Sequence, residues 1–144
     1  HVNIVVTDLE RAGQFYGDVL GLKKSFEKHL KGEWLDRVTG LKDAEADCVF
    51  YEFPDGKTRI ELIQYRGDAA PLEANRRPNT IGVRHFAFDV SDLDAFIQRL
   101  RDHGTPVFSD PVTVPFPVGE QGLEKRICYF TDPDGVLLEV AEYR

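Results

Sequence analysis

The chain carries one pattern twice, and that duplication constrains its fold more than any other feature. Residues 1–9 read His-Val-Asn-Ile-Val-Val-Thr-Asp-Leu, and residues 85–93 read His-Phe-Ala-Phe-Asp-Val-Ser-Asp-Leu. Each copy opens on His, runs as a short apolar strand and closes on a helix entry. Thr7 or Ser91 is the expected N-cap, with Asp8, Glu10, Asp92 and Asp94 near the positive helix end. Leu9, Ala12, Phe15, Tyr16, Val19 and Leu20 then recur at helical spacing before Gly21. In the second copy Leu93, Phe96, Ile97 and Leu100 do the same before Gly104 and Pro106.

The later parts of each copy also correspond. Cys48-Val-Phe-Tyr-Glu-Phe-Pro-Asp-Gly leads into Arg-Ile-Glu-Leu-Ile-Gln-Tyr, and Cys128-Tyr-Phe-Thr-Asp-Pro-Asp-Gly leads into Leu-Leu-Glu-Val-Ala-Glu-Tyr. Pro-Asp-Gly between strand-like runs marks a hairpin. One further strand is expected near 23–29 and its counterpart near 105–109. The order is strand, helix, strand, strand, strand, stated twice. The modules are 1–66 and 83–144, joined by a linker of turn-forming composition at 67–82. Residues 30–46 are irregular with room for a short helix, and 110–124 read as a long loop rich in Pro and Gly.

Composition excludes several roles. With 18 Lys+Arg against 25 Asp+Glu, the net charge of −7 argues against general affinity for nucleic acid or an anionic membrane surface. No apolar run is long enough to span a bilayer and no leader is visible, so a cytoplasmic protein is expected. The chain starts without Met, which points to residues removed upstream of His1. Cys48 and Cys128 have no metal-ligand or disulfide spacing and are expected in the core.

Strand parity isolates a polar set. In the first strand Val2, Ile4 and Val6 share the face a helix must cover, leaving His1, Asn3 and Val5 opposite. In its counterpart Phe86, Phe88 and Val90 share one face, and His85, Ala87 and Asp89 the other. In the closing strands Glu61 and Glu139 each sit between apolar neighbours, facing away from Ile60/Leu62 and Leu138/Val140 respectively. Taken singly, a strand Glu usually faces solvent, and a His among apolar residues is often a hydrogen-bonded core residue. A carboxylate on a half-buried face is costly unless neutralised. Two Glu and two His at matching places in two copies point to a common partner. Their donor chemistry suits a divalent ion such as Ni, Zn, Co, Mn or Fe. His103, at a helix end, and His29, beside a Lys-rich stretch, fall outside this pattern and are expected to be structural.

The run from His1 through Asp18-Val-Leu-Gly-Leu, with Arg84-His-Phe-Ala-Phe-Asp-Val-Ser-Asp-Leu and Phe130-Thr-Asp-Pro-Asp-Gly-Val-Leu-Leu-Glu-Val, resembles the vicinal-oxygen-chelate superfamily. That superfamily holds glyoxalase I, methylmalonyl-CoA epimerase, extradiol dioxygenases, and fosfomycin- and bleomycin-resistance proteins. The resemblance implies an α+β fold of two βαβββ modules forming a curled mixed sheet around a central metal site. It places the metal ligands at His1, Glu61, His85 and Glu139. Glyoxalase-like and epimerase-like members carry Glu or Gln at the second position, which Glu61 matches. A homodimer is also implied.

The expected activity is that of a divalent-metal-dependent lyase or isomerase on a small substrate with vicinal oxygens, through a metal-stabilised enediolate. Glu139 is the first candidate base and Glu61 its partner. The alternatives are an iron-dependent extradiol-type dioxygenase using His1, His85 and Glu139, and a non-catalytic drug- or metabolite-binding protein. Asn3, Trp34 and Phe116 are the expected substrate contacts, with Leu35, Val38 and Val118 beside them. The apolar residues among these serve equally as cover for a sheet edge or a subunit contact. Arg76 and Arg77 fit either a substrate anion or a solvated linker. No pattern for holding glutathione or coenzyme A is present.

Overall fold

The computed structural model describes residues 1–67 and 85–144. The chain divides into two units, His1–Pro71 and Leu72–Arg144. Nearly all of the expected linker, with Arg76 and Arg77, lies outside the described residues.

The first unit runs β1 (Val2–Val5), α1 (Leu9–Gln14) continuing into a π-helical turn (Phe15–Val19), β2 (Lys23–Lys31), α2 (Glu33–Thr39), β3 (Glu45–Glu52) and β4 (Arg59–Tyr65). Its four strands form one mixed sheet in the order β1-β4-β3-β2, with β1 parallel to β4. The second unit runs β5 (Phe86–Asp89), α3 (Leu93–Asp102), β6 (Val112–Thr113), β7 (Lys125–Thr131) and β8 (Leu137–Tyr143). It repeats the order as β5-β8-β7-β6, with β5 parallel to β8. These are the two βαβββ modules of an α+β fold.

Alternation sorts each sheet into two faces. In the first unit Ile4, Val6, Ile60 and Leu62 are buried, as are Ala12, Phe15, Tyr16 and Val19 of the helical segment. In the second, Phe88, Phe96 and Phe130 pack with ring centroids 5.9–6.2 Å apart, beside buried Leu93, Ile97 and Leu100. The first sheet also bears an apolar cluster of Ala46, Cys48 and Ile63, with Leu30, Phe50 and Tyr65 packed against it. Gly13 and Gly17 let α1 approach β3 closely. A Cβ at Gly13 would fall 2.7 Å from the Tyr51 hydroxyl, and one at Gly17 3.2 Å from its ring.

Several local expectations need correction. The helix caps are Asp8 and Asp92, not Thr7 and Ser91. Their carboxylates accept from the backbone N–H of Arg11 and Ala95, each at 2.9 Å. Each Asp is extended and sits immediately before the first helical residue, which is the geometry a cap needs. The strand expected at 105–109 is reduced to a single bridge, Val107 to Phe130, and the paired residues lie further on at β6. Pro106 lies within the segment and Pro111 just beyond it, and neither can donate to a ladder. The 110–124 loop is partly ordered by β6 and by a bridge between Val118 and Leu123. Short helix α2 falls in the irregular 30–46 stretch. No helix among the described residues is long and apolar enough to cross a membrane.

The two cysteines are buried and free, but they are not equivalent. Cys48 pairs with Ile63, two residues from Glu61, and so shares its face. Cys128 pairs with Val140, one residue from Glu139, and so lies on the opposite face. A one-residue change of register flips a side chain across the sheet. The first hairpin is two residues longer between Cys and Glu, and each strand absorbs one of them. Replacing either helix cap, Asp8→Ala or Asp92→Ala, is expected to cost about 1 kcal/mol. Urea unfolding of each variant, followed by far-UV circular dichroism, checks this.

Candidate metal centre

Parallel pairing sets Asn3 beside Glu61 and Ala87 beside Glu139. The strand openings one turn of the pleat earlier carry His1 and His85. In the first unit His1 Nε2 lies 3.2 Å from Glu61 Oε2. In the second, His85 Nε2 lies 3.2 Å from Glu139 Oε2. The duplicated positions therefore deliver the same imidazole–carboxylate pair twice.

Each imidazole rests on an aromatic ring from the strand beside its Glu. His1 meets the Phe50 ring edge-on at 5.6 Å, and His85 meets Tyr129 at 5.1 Å. Phe50 pairs with Glu61 and Tyr129 with Glu139 in the strand registers, so these rings are structural counterparts. The sequence reading missed both. Aligning the copies on their cysteines sets Phe50 against Phe130, one position out of step.

The surroundings of the two carboxylates differ. Glu61 Oε2 also accepts from the Asn3 amide at 3.2 Å, and its side chain is 16% exposed. Glu139 is 6% exposed, and its Oε1 accepts from Lys125 Nζ at 2.8 Å. Burial pulls the Lys125 ammonium down, but the bond and charge of Glu139 more than offset this, so its pKa lies above the usual lysine value. Burial, then the charge of Glu139 and a hydrogen bond to it, push the Tyr129 phenol up. Strand β8 is buried on both faces from Leu137 to Glu142, so Glu139 is not on the half-exposed face that parity alone suggested. Lys125 neutralises part of the charge that the sequence reading left to a metal.

Both pairs suit a divalent cation. Nitrogen and oxygen donors at about 2.1 Å from one ion stand about 3.0 Å apart at octahedral corners and about 3.4 Å apart at tetrahedral ones. The observed 3.2 Å falls between. His85 Nδ1 is buried with no hydrogen-bond partner among the described residues, and Nε2 is the nitrogen that faces Glu139. Cys48 shares the face of Glu61, but burial and then the Glu61 charge push its thiol up, which disfavours a thiolate ligand. Among the described residues no group of three or more His, Cys, Asp or Glu side chains is gathered as a metal site. Each unit by itself supplies two donors.

The apolar sequence candidates lie on α2 and in the 110–124 loop. Trp34 is exposed on α2 and donates from Nε1 to the Lys31 carbonyl at 3.1 Å. Leu35 is buried and Val38 exposed on the same helix. Phe116 is exposed, and Val118 is half-buried in the bridged loop. No hydrogen bond or ring contact among the described residues joins Trp34 to His1–Glu61 or Phe116 to His85–Glu139. His29 sits between Asp47, 2.7 Å from Nδ1, and Glu45, 3.3 Å from Nε2, and Arg66 reaches both acids. His103 Nδ1 lies 2.8 Å from the Arg99 carbonyl at the end of α3.

A family model described as the Glyoxalase/Bleomycin resistance protein/Dioxygenase superfamily matches residues 1–140. A 2-epi-5-epi-valiolone epimerase from Actinomyces sp is 31% identical over 147 residues, covering 97% of this chain and 76% of that protein. The uncharacterized protein YaeR of Escherichia coli K12 is 30% identical, covering 99% and 93%. The crystal structure of a glyoxalase family protein from Bacillus cereus superposes with a TM-score of 0.85 at 30% identity, over 99% of this chain and 91% of that one.

The asymmetry of the carboxylates has a measurable consequence. Glu139→Ala strands a half-buried lysine and is expected to cost about 3 kcal/mol. Glu61→Ala removes no lysine or arginine pairing and is expected to cost about 1 kcal/mol. Urea unfolding midpoints of the metal-free variants compare the two.

Proposed function

The chain belongs to the glyoxalase/bleomycin resistance protein/dioxygenase superfamily, and from that premise we propose that it is a divalent-metal-dependent isomerase or lyase. Its substrate is a small molecule with oxygens on neighbouring carbons. The observation that carries this reading is the pair of matched contacts, His1–Glu61 and His85–Glu139, both at 3.2 Å. A similar protein named as an epimerase supports the isomerase side of it. Four donors, two imidazoles and two carboxylates, would hold one ion per chain, whether the chain works alone or as a dimer.

The ion supplies Lewis-acid polarisation of a substrate carbonyl, which acidifies the adjacent C–H. The residues of the chain do the rest. Among the described residues Glu61 is tied by an amide and an imidazole, with no lysine on it, so it is the carboxylate freer to swing and accept the proton. Glu139 is the second carrier: it would deliver a separate proton, drawn from the Lys125 ammonium on its Oε1, while Glu61 keeps the one it took. This reverses the order expected from sequence, because Lys125 was not visible there as a partner of Glu139. The Asn3 amide orients Glu61. Tyr129 and Phe50 keep the imidazoles in place.

Elemental analysis after loading should find one divalent ion per chain in the wild type and a loss of at least tenfold in His85→Ala. Two ions per chain would mean that each pair acts by itself. Proton abstraction is tested by metal-dependent uptake of solvent deuterium beside the carbonyl, across 2-hydroxyketones, 2-oxoaldehyde–thiol adducts and 2-methylmalonyl-type thioesters. Exchange that disappears with chelator and falls at least a hundredfold in Glu61→Gln is expected. Metal binding without exchange on any of these would reject the isomerase or lyase reading.

A further inference from the structure

The two sheets are copies, so differences at matched positions around the two Glu residues are not demanded by the fold. The strand registers make the match. Tyr65 pairs with Ala46 in the first unit, and Tyr143, at the same distance beyond its Glu, pairs with Lys125 in the second. Where the first copy has a buried alanine, the second therefore has a cation. Its ammonium reaches along the strand to Glu139 Oε1 at 2.8 Å and lies 5.6 Å over the Tyr143 ring. The Lys125 side chain is 20% exposed, so the charge sits where water screens it poorly. Glu61 manages at its matching place with an amide, Asn3, whose own counterpart is Ala87.

We propose that Lys125 is a resident competitor of the metal. It occupies one oxygen of Glu139 and lowers the affinity of the site for a divalent ion. This rests on the reading of His85 and Glu139 as ligands. Oε2 of Glu139, the oxygen facing His85, is the one left to a cation. A divalent ion there and an ammonium on the other oxygen of the same carboxylate repel each other across one carboxyl group. In a half-buried setting that repulsion lowers affinity by about tenfold or more. The penalty is nearly the same for every divalent ion, whereas intrinsic affinity for an N/O site rises from Mn toward Ni and Cu and remains high for Zn. A uniform penalty therefore keeps that order of affinities and raises the concentration each ion needs to fill the site. Without any ion, the same lysine spares Glu139 the cost of lying buried and uncompensated.

The test is calorimetric titration of Zn2+ and of Mn2+ into metal-stripped wild type, Lys125→Gln, Lys125→Met and Lys125→Arg. Far-UV circular dichroism confirms that each variant is folded. The two neutral variants should bind both ions about tenfold tighter than wild type, while melting at lower temperature when metal-free. Lys125→Arg, which keeps the charge, should stay within about threefold of wild type. Unchanged or weaker binding in both neutral variants would overturn the proposal and leave Lys125 a purely structural partner. Zn2+ binding to none of the four proteins would overturn the ligand reading itself, and this proposal with it.

Discussion

A carboxylate placed mid-strand between apolar neighbours must find a counter-charge, and both halves of this chain are organised around meeting that need. The parallel strand that opens each module delivers an imidazole to the carboxylate of the closing strand. Parallel pairing at an edge is what makes this possible. It brings the first residue of a module beside one near its end, after the chain has passed through a helix and a hairpin. The helix is needed for the crossover, and its apolar stripe forces the strand's other face, the one with His, away from the core. Fold and site thus follow from one requirement of the βαβββ arrangement.

The face assignments were legible because a strand alternates strictly. Val2, Ile4 and Val6 could only be core if His1 and Asn3 were not, and a two-residue period carries that inference without any knowledge of tertiary contacts. Elements whose formation depends on a partner elsewhere were less legible. Residues 105–109 have strand-like composition, but Pro106 within them and Pro111 beyond leave a single bridge to Phe130. The caps moved by one residue because Thr-Asp and Ser-Asp each offer two good capping side chains in a row, and only backbone geometry chooses between them. Lys125 was illegible as a partner of Glu139 for a related reason. It lies 14 residues away in sequence, and it is set across from Tyr143 while its flexible stem reaches a residue four positions along the neighbouring strand.

Trp34 and Phe116 show the converse limit. Both are large, apolar and in irregular segments, which is the signature of a pocket wall and equally of an exposed flap. Within its own unit each is exposed, and among the described residues no hydrogen bond or ring contact joins it to the imidazole–carboxylate pair there. Aromatic character alone did not locate the rings that pack against His1 and His85. Those are Phe50 and Tyr129, which lie within regular strands and are placed by register beside each Glu.

Duplication offers a physical control that a single domain lacks. Each copy reports what the scaffold requires, and each mismatch between copies marks something the scaffold does not require. The His, the Glu and the aromatic beside it are common to both halves. Asn3 against Ala87, Ala46 against Lys125 and Phe50 against Tyr129 are not. All three differences fall in the immediate surroundings of the carboxylates. In the first half they leave an amide and an apolar floor, and in the second a cation and a phenol. A site built from two identical halves would give its two carboxylates identical chemistry. Here Glu61 meets an amide and an imidazole while Glu139 meets an imidazole and an ammonium, so matched carboxylates of one scaffold sit in different electrostatic surroundings.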